Sequence, residues 1–449
     1  MLRDYQVKAI DETRSHIHAG RRRPLIVAPT GAGKTTIASA IIHSALSRGS
    51  KIVFMAHRRE LINQPSARLD ALGVDHGIIM GDHWRARPWL PVQVASVDTL
   101  RNREYPWRPD ILFIDEAHRA RAKTYQTAIE MAGRDPIVIG LTATPCRTDG
   151  VGLGGDLFNA VVECPQIYEL IDMGFLVPVS LYSWENPDLD ACAVRGSDLD
   201  AEQQEDVLNK PSLIGNALYE WRRRAADRPT VVFCAGTKHS QATAAAFHSA
   251  GVKAVHLDGT TPPAIRQRMT DDLAAGRIQV ICNYMVLPEG WDCPPVSCVV
   301  LLRRTLSLAL YLQMVGRGTR TYANKTNCLV LDHGGNFHIH GHATAHRDWS
   351  LSVDRRRRKA EAIKAKDEYK VCPECMNVAA LDVLRCPCGY AFSISTTRKK
   401  PEIPTARAGT LIDVDTLPTA SPHDDTRRNW YWSFLHEQHT AIKKNGDPY

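Results

Sequence analysis

Residues 25–42 read LIVAPTGAGKTTIASAII: an apolar β-branched run, a glycine–lysine turn and an apolar helical stretch in direct succession. Few folds accommodate that order. Strand, tight glycine turn and helix form the opening crossover of a parallel sheet whose strands are buried on both faces. In that context Pro29, Thr30, Gly31, Ala32, Gly33, Lys34, Thr35 and Thr36 would turn backbone N–H groups and a helix N-terminus toward an anion, which predicts a phosphate site. Lys34 would reach the β- and γ-phosphates of a nucleoside triphosphate, and the Thr35 hydroxyl would ligate Mg²⁺. The usual pattern opens on glycine; this chain has Ala28, still small enough for close approach.

The same pattern continues along the chain. Short apolar runs recur at 25–28, 52–55, 92–95, 111–114 and 137–140, and again at 230–233, 253–257, 279–282, 298–302 and 328–331. Two such sets predict an α/β chain with two tandem parallel-sheet units, over 1–160 and 212–345. Between them, 161–211 is acidic and polar in its middle and reads as a linker or insertion. Residues 346–370 read as a basic linker and 371–393 as a cysteine module. Residues 394–449 form a low-order tail whose aromatic terminal segment could dock on the chain or on a protein partner.

Composition narrows the class. The 449 residues are 44% hydrophobic and 23% charged, which suits a folded multidomain chain. No apolar run approaches the roughly 18 residues of a membrane span. Arg3 and Asp4 interrupt any signal-peptide core, so a cytoplasmic location is expected. The net charge of +7 is mild, but basic blocks at Arg22–Arg23 and Arg355–Lys359 would either attract a polyanion or form solvated faces.

Two further constellations suit triphosphate cleavage. The run 111–114 ends in Asp115-Glu116-Ala117-His118. At the C-terminal edge of a strand, Asp115 can hold Mg²⁺ through water and Glu116 can orient and deprotonate an attacking water. His118 would couple this centre to the second unit. In the second unit, residues 313–320 read QMVGRGTR. Arg317 and Arg320, three apart, would share a face of one helical turn, with Gln313 one turn earlier. A cation on the equatorial oxygens of the transition state is worth roughly 10³–10⁵ in rate. Glycines at 316 and 318 would weaken a purely structural helix there. Gly290 and Asp292 of EGWDCP (289–294) are expected at the ribose or the nucleic-acid backbone.

Taken in order, these strings resemble the motifs of superfamily 2 helicases of the DEAD/DEAH-box kind, over about residues 1–345. LRDYQ resembles the adenine-reading Q motif, with Arg3 and Gln6 at the matching positions. AHRREL (56–61) and ASVDTL (95–100) resemble the motifs that grip a single strand, FCAGTKHS (233–240) resembles motif IV, and TATP (142–145) resembles motif III. His57, Arg58, Ser96, Thr99, Thr142 and Thr144 are therefore expected at nucleic acid. Within the superfamily the chain looks most like RadD-like helicases of bacteria and phages, which often carry C-terminal zinc-ribbon cysteines. The resemblance implies two RecA-like domains with ATP and Mg²⁺ between them. It also implies movement along, or unwinding of, nucleic acid, with DNA favoured over RNA. Two rivals stand beside it: the motor subunit of a restriction- or nuclease-type assembly that translocates without unwinding, and a nucleotide-dependent nucleic-acid-binding scaffold without turnover.

Cys372, Cys375, Cys386 and Cys388 form a C-x-x-C and a C-x-C pair separated by ten residues. Four thiolates so spaced can hold Zn²⁺ tetrahedrally, and so small a module would take its folding energy from the metal. The tight second pair departs from the usual ribbon, and a reduced, metal-free cluster is the alternative. His338, His340 and His342 alternate, and read as a loop or edge strand after the second sheet rather than as a metal site.

Overall fold

The computed structural model describes residues 2–103, 105–133, 135–145, 152–185, 187–287, 290–351 and 365–392. The basic block at 355–359, the tail from 394, Cys146 and Glu289 lie outside the described residues. Among those described, no helix is long and apolar enough to cross a membrane.

In the first lobe the apolar runs become β1 (Pro24–Val27), β2 (Ile52–Ala56), β4 (Val92–Ser96), β5 (Ile111–Ile114) and β6 (Ile137–Thr142). They are joined by β3 (Gly77–Ile79) and β7 (Ala160–Glu163). The sheet is parallel throughout, in the order β3-β4-β2-β5-β6-β1-β7. Every residue of β1, β2, β4 and β5 is buried, because helices cover both faces. Phe54 and Phe113 stack across β2 and β5 with ring centroids 6.1 Å apart. Burying a side chain of that size contributes roughly 1.5–3 kcal/mol. Because β5, β6 and β1 are successive neighbours, the loops at 28–35, 115–118 and 142–145 leave the sheet along one edge.

The second lobe is a six-stranded parallel sheet in the order β12-β13-β11-β14-β15-β8. Its strands are β8 (Val179–Ser183), β11 (Thr230–Cys234), β12 (Ala254–Leu257), β13 (Val280–Asn283), β14 (Cys298–Leu302) and β15 (Cys328–Asp332). The stretch 161–211 is more than a linker: β7 extends into it to complete the first sheet, and β8 supplies the edge of the second. Its polar middle forms a hairpin, β9 (Val194–Arg195) and β10 (Asp198–Leu199), and a helix, Ala201–Leu208, capped by the Asp200 carboxylate. The Asp198 carboxylate secures this insertion to the second lobe, accepting from Thr305 Oγ1 at 2.7 Å and Arg303 Nη2 at 3.3 Å.

The histidine run is neither a loop nor a strand at its start. Asn336–His340 forms one short helix because Asn336 and the Phe337 N–H both bond the buried Asp332 carboxylate. The His340 ring stacks on Tyr311 (5.3 Å) and the His342 ring on Tyr369 (4.6 Å). Burial pushes both rings down to a pKa of about 4. They are packed, neutral core groups.

The cysteine module contains β16 (Tyr369–Val371) and β17 (Val378–Ala380), an antiparallel pair. It docks on the outer side of β8. The Ser183 N–H donates to Met376 O at 3.2 Å, and Arg224 reaches Cys375 O at 3.0 Å while lying 4.0 Å over the Tyr182 ring. A sheet edge that would otherwise be open is thereby covered.

Candidate active site

The phosphate loop leaves β1 and enters the helix Lys34–Leu46. Gly33 has φ +85°, and a Cβ there would sit 2.5 Å from Gln6 Nε2, so no other residue fits. Gln6 is buried. It donates to Ala32 O at 3.0 Å and accepts from Arg3 N at 3.0 Å. Tyr5 Oη donates to the same Ala32 carbonyl at 2.7 Å. The N-terminal helix thus props the loop from behind. Lys34 Nζ reaches back to Ala28 O at 3.3 Å.

Asp115 and Glu116 lie at the end of β5, both buried. The Glu116 N–H donates to Asp115 Oδ1 at 3.0 Å. Glu116 has φ +48° and ψ +54°, a left-handed conformation that costs a non-glycine residue on the order of 1–3 kcal/mol. Its carboxylate is held on two sides. His118 Nδ1 lies 3.3 Å from Oε2, and Gln313 Nε2, from the second lobe, donates to Oε2 at 3.1 Å.

That contact brings the two lobes together over a cleft of about 610 Å³. From the first lobe it is lined by Arg3, Pro29, Thr30, Gly31, Gly33, Lys34, Thr35, Thr36, Asp115 and Glu116, and from the second by Gly290, Asp292, Arg317 and Arg320. The arginines do not share a helical turn. The helix Leu308–Gly316 stops before Arg317, and Arg320 lies in an extended segment bridged to Leu176. Glycine at 316 and 318 disfavours continuation of the helix, and Gly316 packs against the phosphate loop, where a Cβ would lie 2.6 Å from Thr30 Cβ. Arg317 is buried and donates to Trp291 O, and Arg320 pairs with Asp292.

Phe175 also lines this cleft, and the sequence carries no catalytic signal for it. It follows Gly174, which ends a short helix at φ +73°. The Arg3 guanidinium lies 4.0 Å over its ring, and Tyr5 packs against it at 5.6 Å. An aromatic ring and a planar cation at the mouth of a phosphate cleft suit a nucleobase.

The residues expected at nucleic acid divide. His57 and Thr99 are partly exposed along the C-terminal edge of the first sheet, and Ser96 is buried beneath them. Arg58 crosses to the second lobe, donating to Met285 O at 3.1 Å. Thr142 and Thr144 are fully buried. Thr142 Oγ1 donates to Thr144 O at 2.7 Å, closing the turn, so neither hydroxyl faces a polymer.

The four cysteines converge. Their Sγ atoms all lie within 4.8 Å of one another, with Cys372–Cys388 at 3.7 Å and Cys375–Cys386 at 3.5 Å. A tetrahedron with Zn–S bonds of about 2.3 Å has edges near 3.8 Å, so the donor set fits zinc despite the short second pair. The Tyr390 N–H bonded to Cys388 pulls that thiol down to about 7. Among the described residues this is the one cluster of His, Cys, Asp or Glu with such geometry.

Comparison with known proteins agrees with this anatomy. Residues 1–147 match the family described as type III restriction enzyme, res subunit, and residues 209–322 match the helicase conserved C-terminal domain. The chain is 30% identical over 381 residues to the 51.5 kDa protein of a Lactococcus phage, covering 84% of this chain and 80% of that protein. It is 32% identical over 352 residues to the "Putative mitochondrial ATP-dependent helicase irc3" of Schizosaccharomyces pombe, covering 74% of this chain but only 57% of that longer protein. The solved fragment of a "putative HsdR subunit of a type I restriction enzyme from Vibrio vulnificus YJ016" shares the fold. Its TM-score is 0.57 at 21% identity, covering 74% of this chain and 64% of that one.

Proposed function

Because the chain belongs to the ATP-hydrolysing helicases of superfamily 2, we propose that it couples hydrolysis at the Lys34–Glu116 cleft to movement along nucleic acid, DNA in preference to RNA. The supporting observation is the bond from Gln313 to Glu116, which joins the second lobe to the hydrolysis centre of the first. Bound ATP with Mg²⁺ supplies the phosphoanhydride. Backbone N–H groups of residues 31–34 and Lys34 bind its phosphates, and Arg3 with Phe175 takes the base. Thr35 and Asp115 would hold Mg²⁺, which would offset charge on the phosphates. Glu116 accepts the proton of the attacking water, and Arg317 and Arg320 meet the charge that gathers on the transferred group. Opening and closing of the seam then alternates the grip of the two lobes on a strand that passes His57 and Thr99.

Zn²⁺ on Cys372, Cys375, Cys386 and Cys388 would staple the module that caps β8. The match to a restriction-enzyme subunit, and the likeness to an HsdR fragment, favour one second reading: a motor that translocates within a larger assembly without separating strands.

Phosphate release measured without polymer, and with single-stranded DNA, duplex DNA and RNA, tests the proposal. Turnover should rise with DNA. Turnover indifferent to every polymer would remove it. Duplex stimulation without strand separation would select the second reading.

A further inference from the structure

Trp84 is 78% exposed, the most exposed large apolar side chain among the described residues. It lies in the loop between β3 and β4, and the loop is not loose. The Gly81 N–H donates to Thr99 Oγ1 at 3.4 Å, and Arg103 donates to Gly81 O at 3.3 Å. The chain then folds back along β3, where the Ile78 N–H donates to Arg85 O at 2.9 Å. These bonds hold Trp84 at the C-terminal edge of the first sheet, beside the Thr99 segment.

The indole is braced from the side. His83 stacks with it at 5.7 Å and 29° between planes, and the Arg85 guanidinium lies 5.2 Å from its ring. Arg85 is itself fixed by Asp70 at 2.9 Å. Burial, with Arg59 and Arg85 close by, keeps His83 below its ordinary pKa, so it is a neutral stacking partner near pH 7. The exposed indole offers an apolar π-face against which a base can stack. Arg59, close to His83, and Arg103, bonded to Gly81 O, are exposed nearby and favour a polyanion as the partner. An aromatic face flanked by arginines is how proteins hold single strands: phosphates meet the cations while a base meets the ring.

We propose that Trp84 is a base-stacking platform for a single strand on the first lobe, one step beyond Thr99. The inference rests on the proposed nucleic-acid motor. It adds that this lobe holds a base as well as the backbone, which ties its grip to unpaired nucleic acid.

The test is binding of labelled dT20 and rU20, and of a dT20 carrying abasic sites along its length, to the full chain. Trp84→Ala should weaken dT20 binding by about 5- to 150-fold, the usual worth of one stacked base, and leave abasic binding unchanged. Trp84→Phe should restore most of the loss. The rU20 arm shows whether the platform distinguishes the sugars. Trp89 is 73% exposed at the opposite end of the same loop, and Trp89→Ala serves as the matched control. Equal affinity of wild type and Trp84→Ala for dT20, or an equal loss on the abasic strand, overturns the platform. Polymer-stimulated turnover in the wild type would still leave the motor standing. Absence of that stimulation would instead remove the motor.

Discussion

The contact between Gln313 and Glu116 can be tested by changing one atom type. Both side chains are buried and 3.1 Å apart, and Gln313→Glu keeps the shape while adding a second carboxylate. Two unit charges at that separation repel by about 5 kcal/mol at an effective dielectric near 20. The pair can instead take up one proton. Near pH 7, for a carboxyl of ordinary pKa about 4.3, that costs about 4 kcal/mol. The cheaper route governs, so closure of the lobes is penalised by about 4 kcal/mol, or roughly 10³ in turnover. Because the relief is a single proton, the deficit should shrink about tenfold per unit as pH falls, the protonated carboxyl then donating to Glu116 as the amide does. Gln313→Met is the uncharged control. It forfeits only a hydrogen bond to a charged group, roughly 1.5–3 kcal/mol, and should show no added pH slope. The assay is phosphate release at saturating ATP and single-stranded DNA from pH 8 down to pH 5.5. Near-normal turnover of Gln313→Glu at pH 7, or a profile parallel to that of Gln313→Met, would refute the pairing.

Phe175→Ala should raise the ATP concentration for half-maximal turnover by about 3- to 10-fold with little change in the maximal rate; steady-state kinetics check this. Purified protein should carry one equivalent of zinc, Cys372→Ser should carry none, and chelation should lower the thermal midpoint of the wild type; metal analysis and calorimetry decide it. Acid should destabilise the second lobe through three buried rings, His239, His340 and His342, each with a pKa of about 4. The unfolded chain protonates these rings near 6.5, so their contribution is complete above that pH and is lost as pH falls toward 4. At pH 5 each costs about 2 kcal/mol. Equal unfolding midpoints at pH 7 and pH 5 would contradict it.

How much of this was legible in the sequence follows from burial. Strands inside a parallel sheet are buried on both faces and mostly apolar, so the nine interior runs stand out of the sequence, joined by β12 at the edge of the second sheet. In the two large sheets the strands that escaped are the edges β3, β7 and β8: β3 is three residues long and opens on Gly77, packed against Gln93, while solvent permits Glu163 and Ser180 on the other two. The phosphate loop and the acidic centre were readable because local backbone geometry demands those residue types in sequence. The arginines were readable as a pair but not in their geometry, because the partners that hold them, Trp291 O for Arg317 and Asp292 for Arg320, are tertiary facts. Phe175 and Trp84 carry no local signature. One becomes notable only through Arg3, 172 positions away in the chain, and the other only through its exposure.

The central claim is that the second lobe completes the hydrolytic site of the first. Single-turnover ATP hydrolysis by Arg317→Ala and Arg320→Ala, beside equilibrium binding of a labelled ATP analogue, tests it most directly. Hydrolysis should fall by roughly 10³ or more while the analogue still binds. Hydrolysis that persists at the wild-type rate in both variants would contradict it.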